Sequence, residues 1–217
     1  EGAGTRSALD ISDAIDFLGA QLSTTGSADA TYVDLHVPVS RLADALPIMA
    51  DVVARPTFPE AELKRLRDER LASLLEIQDD PDQLIQVAFP RLVFGPQHRY
   101  GTPVIGTAAS LQGLTVADLK AFHEARFSPS NAVLVVAGDV TADTVVPQLE
   151  RAFGSWKGAG AVKPATAADA TQLTARRVFL IDKPGAAQSQ IRLGWIGVPR
   201  STPDYFAIRV LNTILGE

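Results

Sequence analysis

FHEARFSPSNAVLVVAGDV, residues 122–140, is the stretch of sequence that decides the fold. Its first half has helical character and is broken at Pro129, after which residues 132–136 form an unbroken apolar run. A strand with one solvated face alternates apolar and polar side chains, whereas a strand covered on both faces is apolar throughout. The stretch therefore predicts a helix, a turn and then a central strand at residues 131–137.

Helices and strands follow one another on both sides of this stretch. Apolar residues at helical spacing predict helices over residues 7–18, 42–53, 58–78, 115–126, 141–153 and 203–215, and one that follows the acidic turn at 79–82 and ends near 94. Period-two alternation or β-branched residues predict strands over residues 21–26, 31–39, 177–181 and 190–198, the last with Trp195 in the core. This irregular order of helices and strands predicts an α+β fold.

Composition and charge exclude several classes of partner. The formal net charge is −5, and no block of Lys or Arg stands apart from acidic neighbours, so neither nucleic acid nor an anionic membrane is expected to bind. The chain has no cysteine, which excludes disulfides and thiolate metal sites. No run reaches the roughly 18 apolar residues that a membrane-spanning helix needs, so no membrane insertion is expected.

Three segments carry a family resemblance. Residues 1–7, EGAGTRS, lead into a helix that ends in FLGA at residues 17–20; residues 98–107 are HRYGTPVIGT; and residues 122–140 are the stretch quoted above. In this order and spacing they are similar to the insulinase/pitrilysin superfamily of zinc peptidases, which includes the mitochondrial processing peptidase. The resemblance implies a mixed sheet flanked by helices on one side.

The resemblance also implies an organisation in repeats. Residues 1–157 are similar to the first α+β repeat, without its N-terminal strands and without the start of its metal-motif helix. Residues 158–175 predict a linker, since Ala, Gly, Thr and Pro dominate most of them. Residues 176–217 resemble the start of a second repeat, which is truncated. Both ends of the chain therefore favour a fragment of a longer protein.

Zinc in this family is held by an H-x-x-E-H motif, which would lie upstream of Glu1. The motif works because two His at i and i+4 project from one face of a helix and reach one tetrahedral ion. The only histidines here are His36, His98 and His123, and no two of them have that spacing.

A second metal position lies inside the chain. When the acidic turn at residues 79–82 is aligned with the family's similar turn, the expected Glu-Glu step falls on Ala72 and Ser73, whose side chains cannot hold zinc as a carboxylate does. Glu76, one helical turn further on, is a weak substitute that requires the alignment to slip. No metal ligand and no catalytic residue is therefore assigned to this chain, and zinc is expected in a catalytic partner half.

Candidate peptide contacts come from two other places. Ser23, Thr24 and Thr25 lie on the predicted edge strand, and the resemblance implies that the matching strand of active relatives receives substrate peptide by adding it to the sheet. An ordinary edge strand explains these residues equally well. His98 and Tyr100 lie in a loop that the resemblance places near the substrate chamber, although anchoring of that loop is the favoured interpretation.

Three functional hypotheses follow. The leading one is a non-catalytic half or subunit of an insulinase/pitrilysin-like peptidase, which forms part of a chamber and grips unfolded peptide while a catalytic half or subunit cuts it. The second is a fragment of an active zinc metalloendopeptidase whose H-x-x-E-H motif precedes residue 1. The third is a structural scaffold similar to the core subunits of the respiratory cytochrome complex. The usual location of members of the resembled family favours the bacterial periplasm or cell envelope, and the cytoplasm is left open.

Overall fold

A computed structural model describes residues 2–158 and 170–215 of the chain. They form the strands β1 (Gly2–Ala3), β2 (Arg6–Ser7), β3 (Gln21–Gly26) and β4 (Thr31–His36). The helices are α1 (Ala8–Phe17), α2 (Leu42–Ala54), α3 (Glu60–Asp79), α4 (Pro81–Phe94), α5 (Ala108–Gly113), α6 (Val116–Arg126), α7 (Ala142–Phe153) and α8 (Tyr205–Leu215). The chain divides into two units, residues 2–77 with 104–158 and residues 78–103 with 170–215, and each has contacts of its own.

The predicted helices and the α+β class are confirmed, and side-chain caps set where several helices begin. The helices α1, α5 and α6 each begin with a capping box, in which the N-cap residues are Ser7, Thr107 and Thr115. The N-cap hydroxyl accepts a hydrogen bond from the backbone N–H of the residue three positions later, and the side chain of that later residue accepts one from the backbone N–H of the N-cap residue. The strands predicted at residues 21–26 and 31–39 are confirmed as β3 and β4. The sequence did not predict α5, because six residues are too few for a periodic pattern.

The sheet is smaller than the sequence predicts. Among the described residues, β1 pairs with β2 and β3 pairs with β4, both antiparallel, in place of one mixed sheet. The strands predicted at residues 131–137, 177–181 and 190–198 are wrong for this structure, since none of them joins a ladder. The physical reason is that a strand is held by its neighbours, and the described residues supply none beside these three stretches.

The unpaired stretches leave large apolar side chains in solvent. Val133 is 90% exposed, Val135 is 82% exposed and Leu193 is 93% exposed. Trp195 is 72% exposed, so its predicted place in the core is also wrong. Runs of large apolar side chains in solvent are typical of surface that another segment or protein covers.

The core of the first unit lies between the first two long helices and the β3–β4 hairpin. Ile15 of α1, Ala20 and Ile48 of α2 are buried together, and Leu22 of β3 and Leu35 of β4 pack against them. Each buried aliphatic side chain of this kind stabilises the fold by about 1.5–3 kcal/mol. The hairpin that carries the candidate peptide strand is therefore fixed to the helices by its inward-facing residues.

Asp51, near the end of α2, ties the β1–β2 hairpin to that helix. The residue is 6% exposed, and its carboxylate accepts a hydrogen bond from Arg6 Nη1 at 2.9 Å and another from Arg55 Nε at 3.0 Å. Arg6 belongs to the β1–β2 hairpin, and Arg55 is the residue that ends α2. A buried carboxylate with two guanidinium partners is stabilising only while both partners are present.

The hairpin that reaches Asp51 depends on a glycine. Gly4 adopts a φ of +59°, and a Cβ at this position would lie 2.8 Å from Asp51 Oδ2. Its backbone N–H donates to the Arg55 carbonyl at 2.9 Å, and Thr57 N–H donates to the Gly2 carbonyl at 3.1 Å. Both the conformation and the close approach require glycine here.

The second unit has its own anchors. Asp80 caps α4, and Lys183 Nζ donates to the Gln78 carbonyl and to Asp79 Oδ1, both at 3.0 Å. A cation at a helix C-terminus complements the helix dipole, so this contact stabilises the end of α3. None of the described helices combines the length and apolar content that crossing a lipid bilayer requires.

Two predictions about organisation are not settled by these contacts. Most of the predicted linker, residues 158–175, lies outside the described residues, because the description stops at residue 158 and resumes at residue 170. The predicted boundaries of the two repeats, at residues 157 and 176, stay predictions.

Replacing Asp51 by Ala should lower the free energy of unfolding by about 2 kcal/mol, which is below the full cost of breaking a buried pair because both arginines are partly exposed. Urea unfolding followed by circular dichroism measures the loss. The matched control is Asp44→Ala, which removes an exposed carboxylate 3.7 Å from Arg41 and should change stability by less than about 0.5 kcal/mol. Equal losses in the two variants would contradict the role given to Asp51.

Thr115→Ala should cost about 1 kcal/mol of stability at neutral pH, because it removes the N-cap of α6. Ser73→Ala is the control: the Ser73 hydroxyl donates to the Glu69 carbonyl inside α3, and Ala is at least as favourable there.

The Thr115 effect should depend on pH. The hydrogen bond from the Thr115 hydroxyl, followed by that from its backbone N–H, lowers the pKa of Asp118 below its ordinary 3.8. A lowered folded-state pKa gives stability that is complete above the ordinary value and is lost as pH falls through the folded value. The difference between wild type and Thr115→Ala should therefore shrink below about pH 4, and a difference that grows in acid would be incompatible with this cap.

Candidate functional site

The candidate peptide strand β3 lies beside β4 with a defined register. Ser23 is opposite Asp34, Thr24 is opposite Val33 and Thr25 is opposite Tyr32. Ser23, Thr24 and Thr25 are all exposed, as the edge-strand prediction requires. Among the described residues β3 pairs only with β4, so its other edge presents backbone N–H and C=O groups that a further strand can bind.

His98 and Tyr100 form a separate candidate group in the second unit. The His98 ring is stacked on Phe94 with centroids 5.1 Å apart, and the centroid of the Tyr100 ring lies 5.3 Å from that of His98. His98 is 8% exposed, and its Nδ1 accepts the backbone N–H of Tyr100 at 3.1 Å, whereas Tyr100 is 42% exposed. These contacts describe a histidine that orders its own loop, beside a tyrosine that solvent reaches.

Each of the two candidate groups for peptide contact lies within a single unit of the chain. The three β3 residues are contiguous on one strand of the first unit, and His98 with Tyr100 forms one aromatic cluster of the second. A role in peptide contact stays a prediction for all five residues.

The internal metal position on α3 carries no suitable donor set. Ala72 is exposed and has no ligand atom, and the Ser73 hydroxyl donates to the Glu69 carbonyl at 3.2 Å, inside its own helix. Glu76 is exposed one turn further on. In the described part of the chain no three His, Cys, Asp or Glu side chains come together in a group that could hold a metal ion. Neither Ala72 nor Ser73 thus offers the carboxylate that the predicted position would contribute to a zinc site.

Of the two remaining histidines, His123 makes structural contacts. His123 Nε2 lies 2.8 Å from the Val53 carbonyl, and the ring is stacked on Phe127, with Phe58 edge-on at 5.9 Å between centroids. His123 thus packs α6 against the end of α2. His36 is exposed at the end of β4.

Sequence reasoning missed two polar features of the first unit. Arg67, in the basic run of α3, donates from Nε to the Leu111 carbonyl at 3.0 Å and from Nη2 to the Leu114 carbonyl at 2.5 Å, so it holds the end of α5. The second is a cavity between α2 and α7, at which Arg55 and Arg151 are exposed. Neither was visible in the sequence, because each brings together residues more than 40 positions apart.

Two family models together match nearly the whole chain. The one described as insulinase (peptidase family M16) matches residues 1–107, and the one described as the peptidase M16 inactive domain matches residues 113–217. This chain belongs to the insulinase/pitrilysin family. The family membership agrees with the sequence segments at residues 1–20, 98–107 and 122–140.

Curated relatives in this family are longer than the chain. An uncharacterized zinc protease of Mycobacterium leprae is 31% identical over 216 residues, which are 100% of this chain and 48% of the relative. One of Mycobacterium tuberculosis strain H37Rv is 32% identical over 214 residues, 98% of this chain and 48% of the relative. The chain thus spans about half the length of these relatives.

Solved structures of the family share the fold. The peptidase M16 inactive domain from Pseudomonas fluorescens matches with a TM-score of 0.73 and 25% identity, over 79% of this chain and 42% of that one. Pitrilysin matches with a TM-score of 0.66 and 19% identity, over 78% of this chain and 18% of that one, which supports the fold alone.

Because Ala72 and Ser73 of α3 carry no carboxylate, we expect that this insulinase-family chain does not take up zinc on its own. After treatment with a chelator and reloading with zinc, atomic absorption should find far less than one zinc per chain, and the thermal midpoint should not change. Glu76→Gln serves as the matched variant and should behave like wild type. One zinc per chain that disappears in Glu76→Gln would instead restore Glu76 as a ligand.

Proposed function

We propose that the chain is a non-catalytic half or subunit of an insulinase/pitrilysin-family peptidase, where it forms part of a chamber for unfolded peptide. The observation that carries the proposal is that Ala72 and Ser73, at the expected Glu-Glu position on α3, carry no carboxylate. Zinc and the hydrolytic step then belong to a partner half, and this chain contributes binding. A location in the bacterial envelope is part of the same proposal and rests on the usual location of members of the family.

The match of residues 113–217 to a model described as an inactive domain supports this proposal. The exposed apolar stretches support it as well. Val133, Val135 and Leu193 are 82–93% exposed, and covering such side chains stabilises an assembly by roughly 25 cal/mol per Å² of apolar surface. A chain with these surfaces is suited to pack against further polypeptide.

The contribution to binding is assigned to the outer edge of β3. An extended peptide that adds as a strand is held by main-chain hydrogen bonds, which do not depend on its sequence. The exposed Ser23, Thr24 and Thr25 side chains are small and polar, so they leave room for varied peptide side chains. This combination suits a surface that grips many unfolded peptides rather than one.

A second candidate function is favoured by the printed names of the curated relatives, which are zinc proteases. In that case the chain is part of an active zinc peptidase, and the metal motif lies in sequence before residue 1. The two proposals differ over α3, where the active peptidase needs a carboxylate and this chain has Ala72 and Ser73.

Proline substitutions on β3 test the binding proposal. Adjacent residues of a strand direct their N–H groups to opposite edges, so one of Ser23 and Thr24 bonds β4 and the other faces outward. Ser23→Pro and Thr24→Pro should therefore differ: one lowers the thermal midpoint, and the other weakens binding of a fluorescein-labelled, unstructured peptide at an unchanged midpoint. Fluorescence anisotropy measures the binding.

Thr24→Val is the control for this experiment, since it keeps the backbone N–H and should bind peptide like wild type. If the proline variant with an unchanged midpoint binds peptide fully, β3 is not the gripping edge. If the chain together with the sequence that precedes residue 1 binds one zinc and cleaves the peptide, the non-catalytic assignment fails and the second candidate replaces it.

A further inference from the structure

A cavity of about 210 Å³ lies in the first unit between one side of α2 and the end of α7. The two helices pack against each other there. The α2 side contributes apolar residues that include Leu46 and Ala50, which are 4% and 6% exposed. Pockets for drug-sized ligands occupy about 300–1,000 Å³, so this one is suited to a group the size of a single residue.

The polar end of the cavity has an excess of positive charge. Asp51, Arg55 and Arg151 all line it. Asp51 is paired with Arg6 through one oxygen and with Arg55 through the other, so two guanidinium groups already share its single negative charge. Arg151 makes no ion pair with any residue that the structure describes, and Ser155 stands beside it on the cavity wall.

A lining that combines apolar side chains with a guanidinium selects a particular kind of ligand. A guanidinium binds a carboxylate through two parallel N–H···O bonds, which is a stronger and more directional contact than a single neutral hydrogen bond. The apolar side chains do not stabilise a bare inorganic anion, but they stabilise an aliphatic side chain that is attached to the carboxylate. Leu46 and Ala50 thus favour a small apolar residue over phosphate.

We propose that this cavity binds the C-terminal residue of a peptide, with a small aliphatic side chain against Leu46 and Ala50 and the terminal carboxylate on Arg151. Such a residue matches the cavity in three ways: its size fits the volume, its side chain suits Leu46 and Ala50, and its carboxylate complements Arg151. The binding uses α2 and α7 alone, so it does not depend on the peptide-gripping role of β3 or on the peptidase assignment.

The test compares four probes on the purified chain. A short N-terminally dye-labelled peptide that ends in leucine with a free carboxylate should bind, and its C-terminal amide should bind about tenfold more weakly, since it loses the charge-assisted bond. N-acetyl-leucine should compete with the peptide, because the cavity holds one residue. Inorganic phosphate should not compete at equal ionic strength. Fluorescence anisotropy reports each case.

Three variants locate the binding. Arg151→Gln should weaken the free-acid peptide about tenfold and leave the amide unchanged, which a merely structural role would not do. Ala43→Trp, at an exposed lining position, should block the peptide without a change of charge. Arg70→Gln removes an exposed arginine of α3 and should bind like wild type.

Several results would overturn the assignment. Equal affinity for acid and amide, full binding by Arg151→Gln, or competition by phosphate as strong as that by N-acetyl-leucine would each remove it. No saturable binding of the free-acid peptide at millimolar concentration would do the same. Because Arg151 and Ala43 are exposed, unchanged circular dichroism spectra are expected and make these results interpretable.

Discussion

The first unit depends on the carboxylate of Asp51. Arg6 reaches it from the β1–β2 hairpin and Arg55 from the end of α2, while Gly4 allows the hairpin to pass within van der Waals distance of it. Because α2 also carries Ile48 into the core beneath β3 and β4, this contact relates the start of the chain to the candidate peptide strand. The segment EGAGTR, which contributes to the family resemblance, thus has a structural reason for its glycine and its arginine.

Much of this could be predicted from the sequence, for physical reasons that differ between elements. The spacing of Ile11 and Ile15 after a capping Ser7 predicted α1, since the local pattern and the cap indicate the same helix. The alternation of residues 31–39 predicted β4 because one face of the hairpin is buried. That Ala72 and Ser73 carry no carboxylate was also visible, because it is a property of residue type, and their correspondence to a metal position stays a prediction.

The remainder depended on contacts between distant residues. The two-residue strands β1 and β2 are too short to leave a period, and the partners of Arg67 lie 44 and 47 positions away. The apolar run at residues 132–136 specified a strand that needs neighbours but carried no information about which segment provides them. In the described residues no segment does, so the pattern and the structure differ there.

The exposed run Ala132-Val133-Leu134-Val135-Val136 has a consequence for the solution behaviour of the chain. It has high β-propensity and contains neither a charge nor a proline, which is the composition of segments that assemble into intermolecular sheets. A molecule whose run is not yet covered can pair with an identical copy as readily as with its proper neighbour. At high protein concentration the purified chain is therefore expected to self-associate through this run unless another segment or protein covers it.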